Sequence, residues 1–242
     1  MRKNVLITGG SGDIGHAICK RFAEEDYRVF FTYRNATSAQ DTCRALKGEG
    51  HEAISLDVTD SNAVKNAQTM LSNTINQLDV LVNCAGTTQY IAPENFQKLD
   101  DVLFDQIMRT NVRAPFTMIK EFLPLLKIAR GAVINITSIA AEIASGSNIA
   151  YCASKSALEN MTRSIARTVA PDVRVLAVAP GLLKTQFTQG FDPDVFEKQI
   201  AQTPLKKLVE PKDVADSVLF AAEQSFVTGT TFAVDGGRPL GI

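Results

Sequence analysis

The feature that most constrains the fold is an apolar run that leads into a glycine-rich turn and then into a helical pattern. Residues 5–8 read VLIT, residues 9–15 read GGSGDIG, and apolar residues then recur at Ile14, Ile18 and Phe22. Glycines let the backbone approach a phosphate group closely, and the N-terminus of the next helix offers free N–H groups and the positive end of its dipole. A strand before the turn and a helix after it are the context that a dinucleotide-binding turn requires, although a tight strand-to-helix connection can also be rich in glycine.

Apolar runs and helical patterns alternate along the rest of the chain. The sequence predicts strands at about 4–8, 28–32, 52–56, 79–82, 131–137, 173–178 and 230–234. It predicts helices at about 14–25, 37–48, 60–76, 100–128, 149–169 and 211–223. Such alternation indicates parallel strands joined by crossover helices, and nearly continuous apolar strands such as 80–82 are buried on both faces. We therefore predict an α/β fold with a doubly wound parallel sheet of about seven strands, in a single domain over residues 1–242.

A second feature of the sequence indicates a candidate proton-transfer site. Tyr151 and Lys155 are four residues apart in a predicted helix, so they lie on one helix face. The ordinary phenol pKa is about 10, and a nearby cation stabilises the phenolate, so this pair can exchange a proton near neutral pH. The spacing by itself also occurs in ordinary amphipathic helices. Ser138, at the end of a predicted strand, strengthens the catalytic interpretation, although alone it could be a strand-end or capping residue.

Seven segments occur in an order and spacing that resemble the short-chain dehydrogenase/reductase family, in its compact single-domain branch. They are the turn from Thr8 to Gly15, Asp57-Val58, Asn83-Cys84-Ala85-Gly86, Asn111, Ser138, Tyr151 with Lys155, and Pro180-Gly181 followed by Thr185. The likeness spans nearly the whole chain and is greatest to the 3-oxoacyl-acyl-carrier-protein reductases.

The resemblance implies roles for particular residues. Tyr151 would protonate the developing alkoxide, Ser138 would hydrogen-bond that oxygen, and Lys155 would lower the phenol pKa and hold the nicotinamide ribose. Asn111 resembles the residue that positions Lys155 through a water. The implied cofactor-binding residues are Thr8, Gly9, Ser11, Gly12, Asp13, Ile14, Gly15, Arg34, Asp57, Val58, Asn83, Ala85, Gly86, Tyr151, Lys155, Pro180, Gly181 and Thr185.

The end of the second predicted strand bears on the choice of cofactor. NAD enzymes usually carry an Asp or Glu there for the ribose 2′-hydroxyl, whereas residues 32–34 read TYR. A guanidinium suits a 2′-phosphate, so Arg34 predicts NADP(H) in preference to NAD(H); the alternative is a solvated loop arginine. Asp57 resembles the family's adenine contact, and its structural alternative is a cap on the helix that begins near Asp60.

The glycine-rich turn departs from the compact branch at two positions. That branch usually has Gly where this chain has Asp13, and often a basic residue where it has Gly12. The resulting spacing is more typical of the family's nucleotide-sugar epimerases and dehydratases, which carry a sizeable C-terminal lobe that this chain is too short to include. Asp13 is a candidate cap for the first helix, and its carboxylate near the phosphates weighs against tight binding of NADP.

The predicted function is that of an NADPH-dependent carbonyl reductase acting on a 3-oxoacyl thioester or a similar apolar ketone. A segment at about 182–210 is predicted to form a substrate lid, because Leu182, Leu183, Phe187, Phe191, Phe196 and Ile200 make it apolar. Lys127, Arg130, Arg163 and Arg167 are either a docking patch for an acyl carrier protein or solvated helix faces. The alternatives are a catalytically silent NADP(H)-sensing protein, which would have no use for the four catalytic residues, and an epimerase or dehydratase.

Composition excludes several other classes of function. The formal net charge is −1, which gives no global bias toward nucleic acid. Cys19, Cys43, Cys84 and Cys152 show no metal-ligand spacing, so we expect no metal and a reduced, cytoplasmic setting. The first apolar run is too short for a signal peptide, and no stretch approaches a membrane span. The family resemblance implies a homotetramer, formed through the helices that contain Asn111 and Tyr151 and through residues 232–237; a dimer fits the same pattern.

Overall fold

The computed structural model describes residues 2–240, in which seven parallel strands form one sheet in the order β3-β2-β1-β4-β5-β6-β7. The strands are β1 (Asn4–Thr8), β2 (Arg28–Tyr33), β3 (Glu52–Ser55), β4 (Val80–Asn83), β5 (Ala132–Ile136), β6 (Arg174–Pro180) and β7 (Thr231–Val234). The predicted fold class, a doubly wound parallel sheet in one α/β domain, is confirmed.

Helices cover both faces of the sheet. They are α1 (Asp13–Glu24), α2 (Ala36–Ala45), α3 (Ser61–Ser72), α4 (Asp101–Met108), α5 (Ala114–Ala129), α6 (Ala140–Ile143), α7 (Ile149–Val169), α8 (Pro193–Gln202) and α9 (Pro211–Glu223). Short 3₁₀ turns lie at Pro93–Lys98, Gln186–Thr188 and Arg238–Leu240. No helix within residues 2–240 combines the length and the apolar character that crossing a bilayer requires.

Alternation of side chains along the strands divides the core into two layers. Leu6, Phe30 and Leu81 belong to the layer that α3, α5 and α7 cover, whereas Val5 and Phe31 belong to the layer that α1 and α9 cover. All five side chains are almost completely buried. Each such side chain stabilises the fold by about 1.5–3 kcal/mol relative to an exposed one, so both sheet faces must remain covered.

The predicted helix at about 100–128 is wrong in one respect, because the structure divides it. A π-helical turn over Arg109–Arg113 joins α4 to α5 and contains the buried Asn111. A π turn inserts an extra residue into the helical repeat and changes the direction of the side chains around it. The segment of the lid also contains more regular structure than the sequence indicated, since α8 lies within it.

The strand order places a cleft at the carboxyl edge of the sheet. The chain passes from β1 outward to β2 and β3, and then returns to the other side of β1 to form β4. The connections after β1 and β4 therefore leave the sheet in opposite directions, and a crevice opens between them. The turn after β1 and the loop after β4 form its two walls.

Candidate active site

One cavity of about 710 Å³ lies at this edge and receives residues from the ends of six strands. Most of the residues predicted from the sequence line it: Gly9, Ser11, Gly12, Asp13, Ile14, Gly15, Arg34, Asp57, Val58, Ala85, Gly86, Ser138, Tyr151, Lys155, Pro180, Gly181 and Thr185. Tertiary structure thus brings together side chains from most of the length of the chain.

Three predicted residues lie behind the cavity wall. The Thr8 hydroxyl accepts hydrogen bonds of 3.0 Å from the backbone N–H groups of Cys84 and Ala85, and so it holds the loop after β4 against β1. Asn83 is buried, and its Nδ2 donates to Asn135 Oδ1 at 2.9 Å. Asn111 is the third. The side chains of Thr8 and Asn83 thus support the wall instead of lining the cavity, and the cofactor contacts expected of both residues stay predictions.

The glycine-rich turn forms a cradle without side chains. Gly9 has a φ of +67°, which residues with a Cβ rarely adopt, and a Cβ on Gly15 would lie 2.2 Å from the Gly9 carbonyl oxygen. A Cβ on Gly12, in contrast, would approach only Gly9 O, at 3.5 Å. The turn is therefore closed toward the protein and open toward the cavity at the start of α1. This shape fits the pyrophosphate of a dinucleotide.

Two carboxylates near the cradle have partners other than those expected. Asp13 does not cap α1, whose N-cap is Gly12; its Oδ2 instead accepts a hydrogen bond of 2.8 Å from the backbone N–H of Gln186. Asp57 does not cap α3, which Asp60 caps. Asp57 accepts from the N–H and the hydroxyl of Thr59 at 2.9 and 2.8 Å, and these bonds, followed by the nearby Arg34, hold the pKa of Asp57 below its ordinary value.

Tyr151 and Lys155 lie on one face of α7, and Ser138 faces them from the end of β5. Burial raises the pKa of Tyr151 to about 12, and the nearby Ser138 side chain opposes that rise. Burial also lowers the pKa of Lys155 to about 8. Lys155 Nζ donates to the Ile136 carbonyl at 2.8 Å and lies 5.6 Å from the centre of the Tyr151 ring. The protein's own groups thus do not produce the lowered phenol pKa that the sequence suggested, because burial outweighs the other effects.

Asn111 connects the loop after β4 to α7. Its Oδ1 accepts from Thr87 N at 2.9 Å, and its Nδ2 donates to Thr87 O and to Ser154 Oγ, both at 3.0 Å. Ser154 directly precedes Lys155. A Cβ on Gly86 would lie 3.5 Å from Asn111 Oδ1 and 3.9 Å from Lys155 Nζ. Asn111 is therefore close to the ammonium group, and the π turn gives it this position.

Aromatic side chains form the part of the cavity that lies beyond Tyr151. The ring of Phe187, from the predicted lid, lies 6.1 Å from the ring of Tyr151, and Phe191 lies 4.8 Å from Tyr90. Phe196 packs against Phe191 and does not line the cavity, and neither does Ile200. The sequence analysis did not identify Tyr90. Its place in the loop after β4 is the only signal that would have found it.

Further lining residues were also absent from the sequence prediction. They include Pro93, Ile139, Ile143, Ser145 and Ser147. They follow β4 and β5, so strand-end position would have found them, but nothing in their residue types distinguishes them from ordinary loop residues. Among the residues that the structure describes, no cluster of three or more His, Cys, Asp or Glu side chains is arranged to hold a metal ion.

The basic residues considered for carrier-protein docking lie away from the cavity. Lys127 and Arg130 are at the end of α5, just before β5 begins, and Arg167 is in the last turn of α7. These positions are at the amino edge of the sheet, opposite the cavity. Lys127 also forms an ion pair with Asp172 at 3.1 Å. Within one chain, Lys127, Arg130 and Arg167 are therefore remote from Tyr151, whereas Arg163 lies farther back along α7.

Comparison with known proteins gives matches over almost the whole chain. The family described as Enoyl-(Acyl carrier protein) reductase matches residues 10–238. The 2,5-dichloro-2,5-cyclohexadiene-1,4-diol dehydrogenase LinX of Sphingobium indicum is 35% identical over 99% of this chain and 97% of its own. Carbonyl reductase family member 4 of Danio rerio is 33% identical over 99% of both chains. The 3-oxoacyl-[acyl-carrier-protein] reductase FabG of Staphylococcus epidermidis is 32% identical over 98% of this chain and 99% of its own.

Solved structures agree with this result. A putative short-chain dehydrogenase/reductase from Burkholderia xenovorans superposes with a TM-score of 0.90 at 30% identity, over 99% of both chains. The Pseudomonas aeruginosa RhlG/NADP active-site complex superposes with a TM-score of 0.89 at 30% identity, over 98% of this chain and 96% of its own. Sequence, fold and the geometry of the cavity lead to one conclusion: the chain belongs to the short-chain dehydrogenase/reductase family of oxidoreductases, which bind a nicotinamide cofactor.

Proposed function

We propose that this protein is an NADPH-dependent carbonyl reductase that acts on a 3-oxoacyl thioester or a similar apolar ketone. The observation that carries the proposal is that Ser138, Tyr151 and Lys155, one helical turn from Tyr151, line the same cavity as the glycine cradle. A proton donor, an oxyanion partner and a dinucleotide cradle together are what carbonyl reduction needs.

Each residue of this group has a distinct task. When bound, the cofactor supplies a hydride to the carbonyl carbon. Tyr151 holds the proton that the carbonyl oxygen receives, and its raised pKa keeps the phenol protonated at neutral pH. Ser138 donates a hydrogen bond to the same oxygen as negative charge develops there. Lys155, fixed by the Ile136 carbonyl, provides positive charge near the phenol and a donor for the ribose, and Asn111 positions Lys155 through a water.

The proposed preference for NADP(H) depends on the end of β2. Arg34 lines the cavity together with Asn35 and Ser38, and its charge lowers the pKa of Asp57. A guanidinium there favours a 2′-phosphate through charge-assisted hydrogen bonds. The RhlG structure carries NADP by its description and has a similar fold, which supports the proposal. The ribose and pyrophosphate would be held by the turn from Gly9 to Gly15.

The proposed substrate class follows from the aromatic part of the cavity. Tyr90, Phe187 and Phe191 offer apolar surface next to Tyr151, which suits an uncharged chain or ring more than a sugar. The relatives FabG and LinX are described as acting on 3-oxoacyl groups of a carrier protein and on a chlorinated cyclic diol, respectively. Both descriptions are compatible with an apolar ketone or its alcohol as the substrate.

The test is oxidation of NADPH and NADH, followed at 340 nm, with acetoacetyl-CoA and a panel of apolar ketones. Tyr151→Phe is expected to lower kcat roughly 10²- to 10⁴-fold, as loss of a general acid does, while NADPH binding measured by fluorescence stays unchanged. Tyr90→Phe is the matched control, because it removes a phenol hydroxyl from the same cavity without removing the proton donor. Activity retained in Tyr151→Phe would contradict the proposed mechanism.

The same assay tests the cofactor. Arg34→Ala is expected to raise the KM for NADPH by about ten- to a hundredfold, because charged hydrogen bonds to the phosphate are lost, and to leave the KM for NADH unchanged. A wild-type preference for NADH would contradict the role of Arg34. Cofactor binding without turnover of any ketone would instead favour the NADP(H)-sensing alternative.

A further inference from the structure

The glycine-rich turn and the lid are joined by a bond between residues that are far apart in the chain. Asp13 Oδ2 accepts a hydrogen bond of 2.8 Å from the backbone N–H of Gln186, 173 residues away. Asp13 is the first residue of α1, yet its carboxylate makes no capping bond in that helix. The position where this chain differs from its compact relatives is thus used for a tertiary contact.

The bond reaches the part of the lid that faces Tyr151. Gln186 begins the 3₁₀ turn Gln186–Thr188, and a reciprocal pair of bonds between Thr185 and Thr188 holds that turn together. Because the turn is internally braced, fixing the Gln186 N–H also fixes the next residue, Phe187. The Phe187 ring lies 6.1 Å from the Tyr151 ring at an angle of 54°.

The lid has a second contact, on the other wall of the cleft. Phe191 packs on Tyr90 from the loop after β4, with ring centres 4.8 Å apart. The segment from Gln186 to Phe191 therefore spans the cleft from the turn after β1 to the loop after β4. Asp13 provides the polar attachment of this span on the cofactor side, and the aromatic pair provides the apolar attachment on the substrate side.

We propose that Asp13 is a positioning residue that attaches the lid to the glycine-rich turn and thereby places Phe187 against the substrate side of the cavity. The inference deepens the proposed function and rests on it, because Phe187 is given a role only if a ketone binds beside Tyr151. The Asp13 carboxylate supplies the acceptor of this bond. Directed toward Gln186, it is also directed at a donor rather than at the phosphates that the cradle would hold.

The attachment can be measured directly, since the hydrogen bond protects the Gln186 amide from exchange with solvent. Hydrogen–deuterium exchange of lid peptides is compared for wild type, Asp13→Ala and Asp13→Asn, with NADPH present and no ketone. Asp13→Ala is expected to accelerate exchange in the peptide containing Gln186 about three- to tenfold, the effect of losing one exposed hydrogen bond. Asp13→Asn retains an acceptor oxygen and is expected to stay within about twofold of wild type.

Asp41→Ala is the matched control, because it removes a carboxylate from the exposed face of α2. Within residues 2–240, the only ion pair of Asp41 is with Arg44, at 3.5 Å. Exchange in Asp13→Ala equal to that of this control would overturn the proposal. Equal acceleration by Asp13→Ala and Asp13→Asn would also overturn it, because charge rather than the hydrogen bond would then be responsible.

Steady-state kinetics separates positioning from a general loss of stability. With saturating NADPH, Asp13→Ala is expected to raise the KM for the ketone about three- to tenfold and to change kcat less than about twofold, because the lid wall is loosened while Tyr151 and Ser138 are unchanged. A fall in kcat with an unchanged KM would contradict the proposal. The exchange experiment needs no ketone, so its result stands even if no ketone is reduced and the proposed function fails.

Discussion

Lys155 shows how the fold sets the chemistry of a single residue. It is buried in the cavity wall, and the loss of hydration lowers its pKa to about 8, although the Ile136 carbonyl accepts a hydrogen bond of 2.8 Å from its Nζ. Tyr151, one turn earlier, has its pKa raised to about 12 by the same burial. Burial thus leaves the Tyr151 phenol protonated across the neutral pH range. Of the two groups, the Lys155 ammonium has the pKa closer to neutral pH.

This difference predicts the pH dependence of carbonyl reduction. Lys155 is protonated below its pKa of about 8, so kcat/KM is expected to be constant below about pH 7 and to fall as pH rises through about 8. The measurement is kcat/KM for the best ketone from pH 6 to 10, with Lys155→Arg as the variant whose charge persists over that range. A wild-type profile that stays flat to pH 10 would contradict the assignment.

At the scale of elements, the start of β2 is completed by a side chain from the residue that precedes β3. Val29 N donates to His51 Nδ1 at 3.1 Å, and His51 Nε2 lies 3.0 Å from the Lys47 carbonyl oxygen, which requires a hydrogen on Nε2. The imidazole ring is therefore neutral. Its Nδ1 accepts the hydrogen bond of Val29 N one residue before β3 begins. Burial lowers the pKa of His51, and the charges of Arg2 and Arg28 lower it further, whereas the bond to the Lys47 carbonyl and the charge of Asp26 oppose this change.

The neutral ring predicts that this strand pair becomes less stable in acid. A pKa below the unfolded value of about 6.5 means that the unfolded chain binds the proton more readily, so the stabilisation is present above that pH and is lost as pH falls through the folded value. We expect the wild-type Tm to fall by a few degrees more than that of His51→Gln between pH 7 and pH 5. Thermal melts at both pH values test this, and parallel curves for the two proteins would rule it out.

At the scale of the whole molecule, β7 is an edge strand of the sheet, and exposed aromatic side chains lie near it. Phe220 on α9 is 54% exposed and packs edge-on against Phe232 of β7, with ring centres 5.6 Å apart. Phe226, between α9 and β7, is fully exposed. An open strand edge beside exposed aromatic rings is typical of a surface that pairs with another subunit.

The family resemblance implies a homotetramer, and we expect this edge to form one of its interfaces. Sedimentation of the purified protein is expected to give a mass about four times the 26.2 kDa of one chain, and Phe220→Asp is expected to give smaller species. Met70→Asp on α3 provides the control, because Met70 is 47% exposed but lies far along the sheet from β7. A monomeric wild type would contradict this expectation.

Local patterns were sufficient for the class of fold and for the placement of the central pair on one helix face. Periodicities of two and 3.6 residues are properties of short segments, so the alternation of strands and helices and the shared face of Tyr151 and Lys155 follow from the sequence alone. The parallel sheet then follows, because strands joined by crossover helices pair in one direction. Ser138 and the glycine-rich turn likewise occupy strand ends that the pattern of apolar runs predicts.

The tertiary structure alone decided what depends on contacts between distant parts of the chain. No local pattern shows that Asp13 bonds to Gln186 instead of capping its own helix, that Thr8 and Asn83 support the cavity wall instead of lining it, or that Tyr90 meets Phe191. The break at Asn111 has the same origin, because its bonds to Thr87 and Ser154 compensate a π turn that helical propensity does not predict. Propensity and periodicity describe the backbone of a segment, whereas the free energy of a polar side chain depends on whichever distant donor or acceptor the packed fold brings to it.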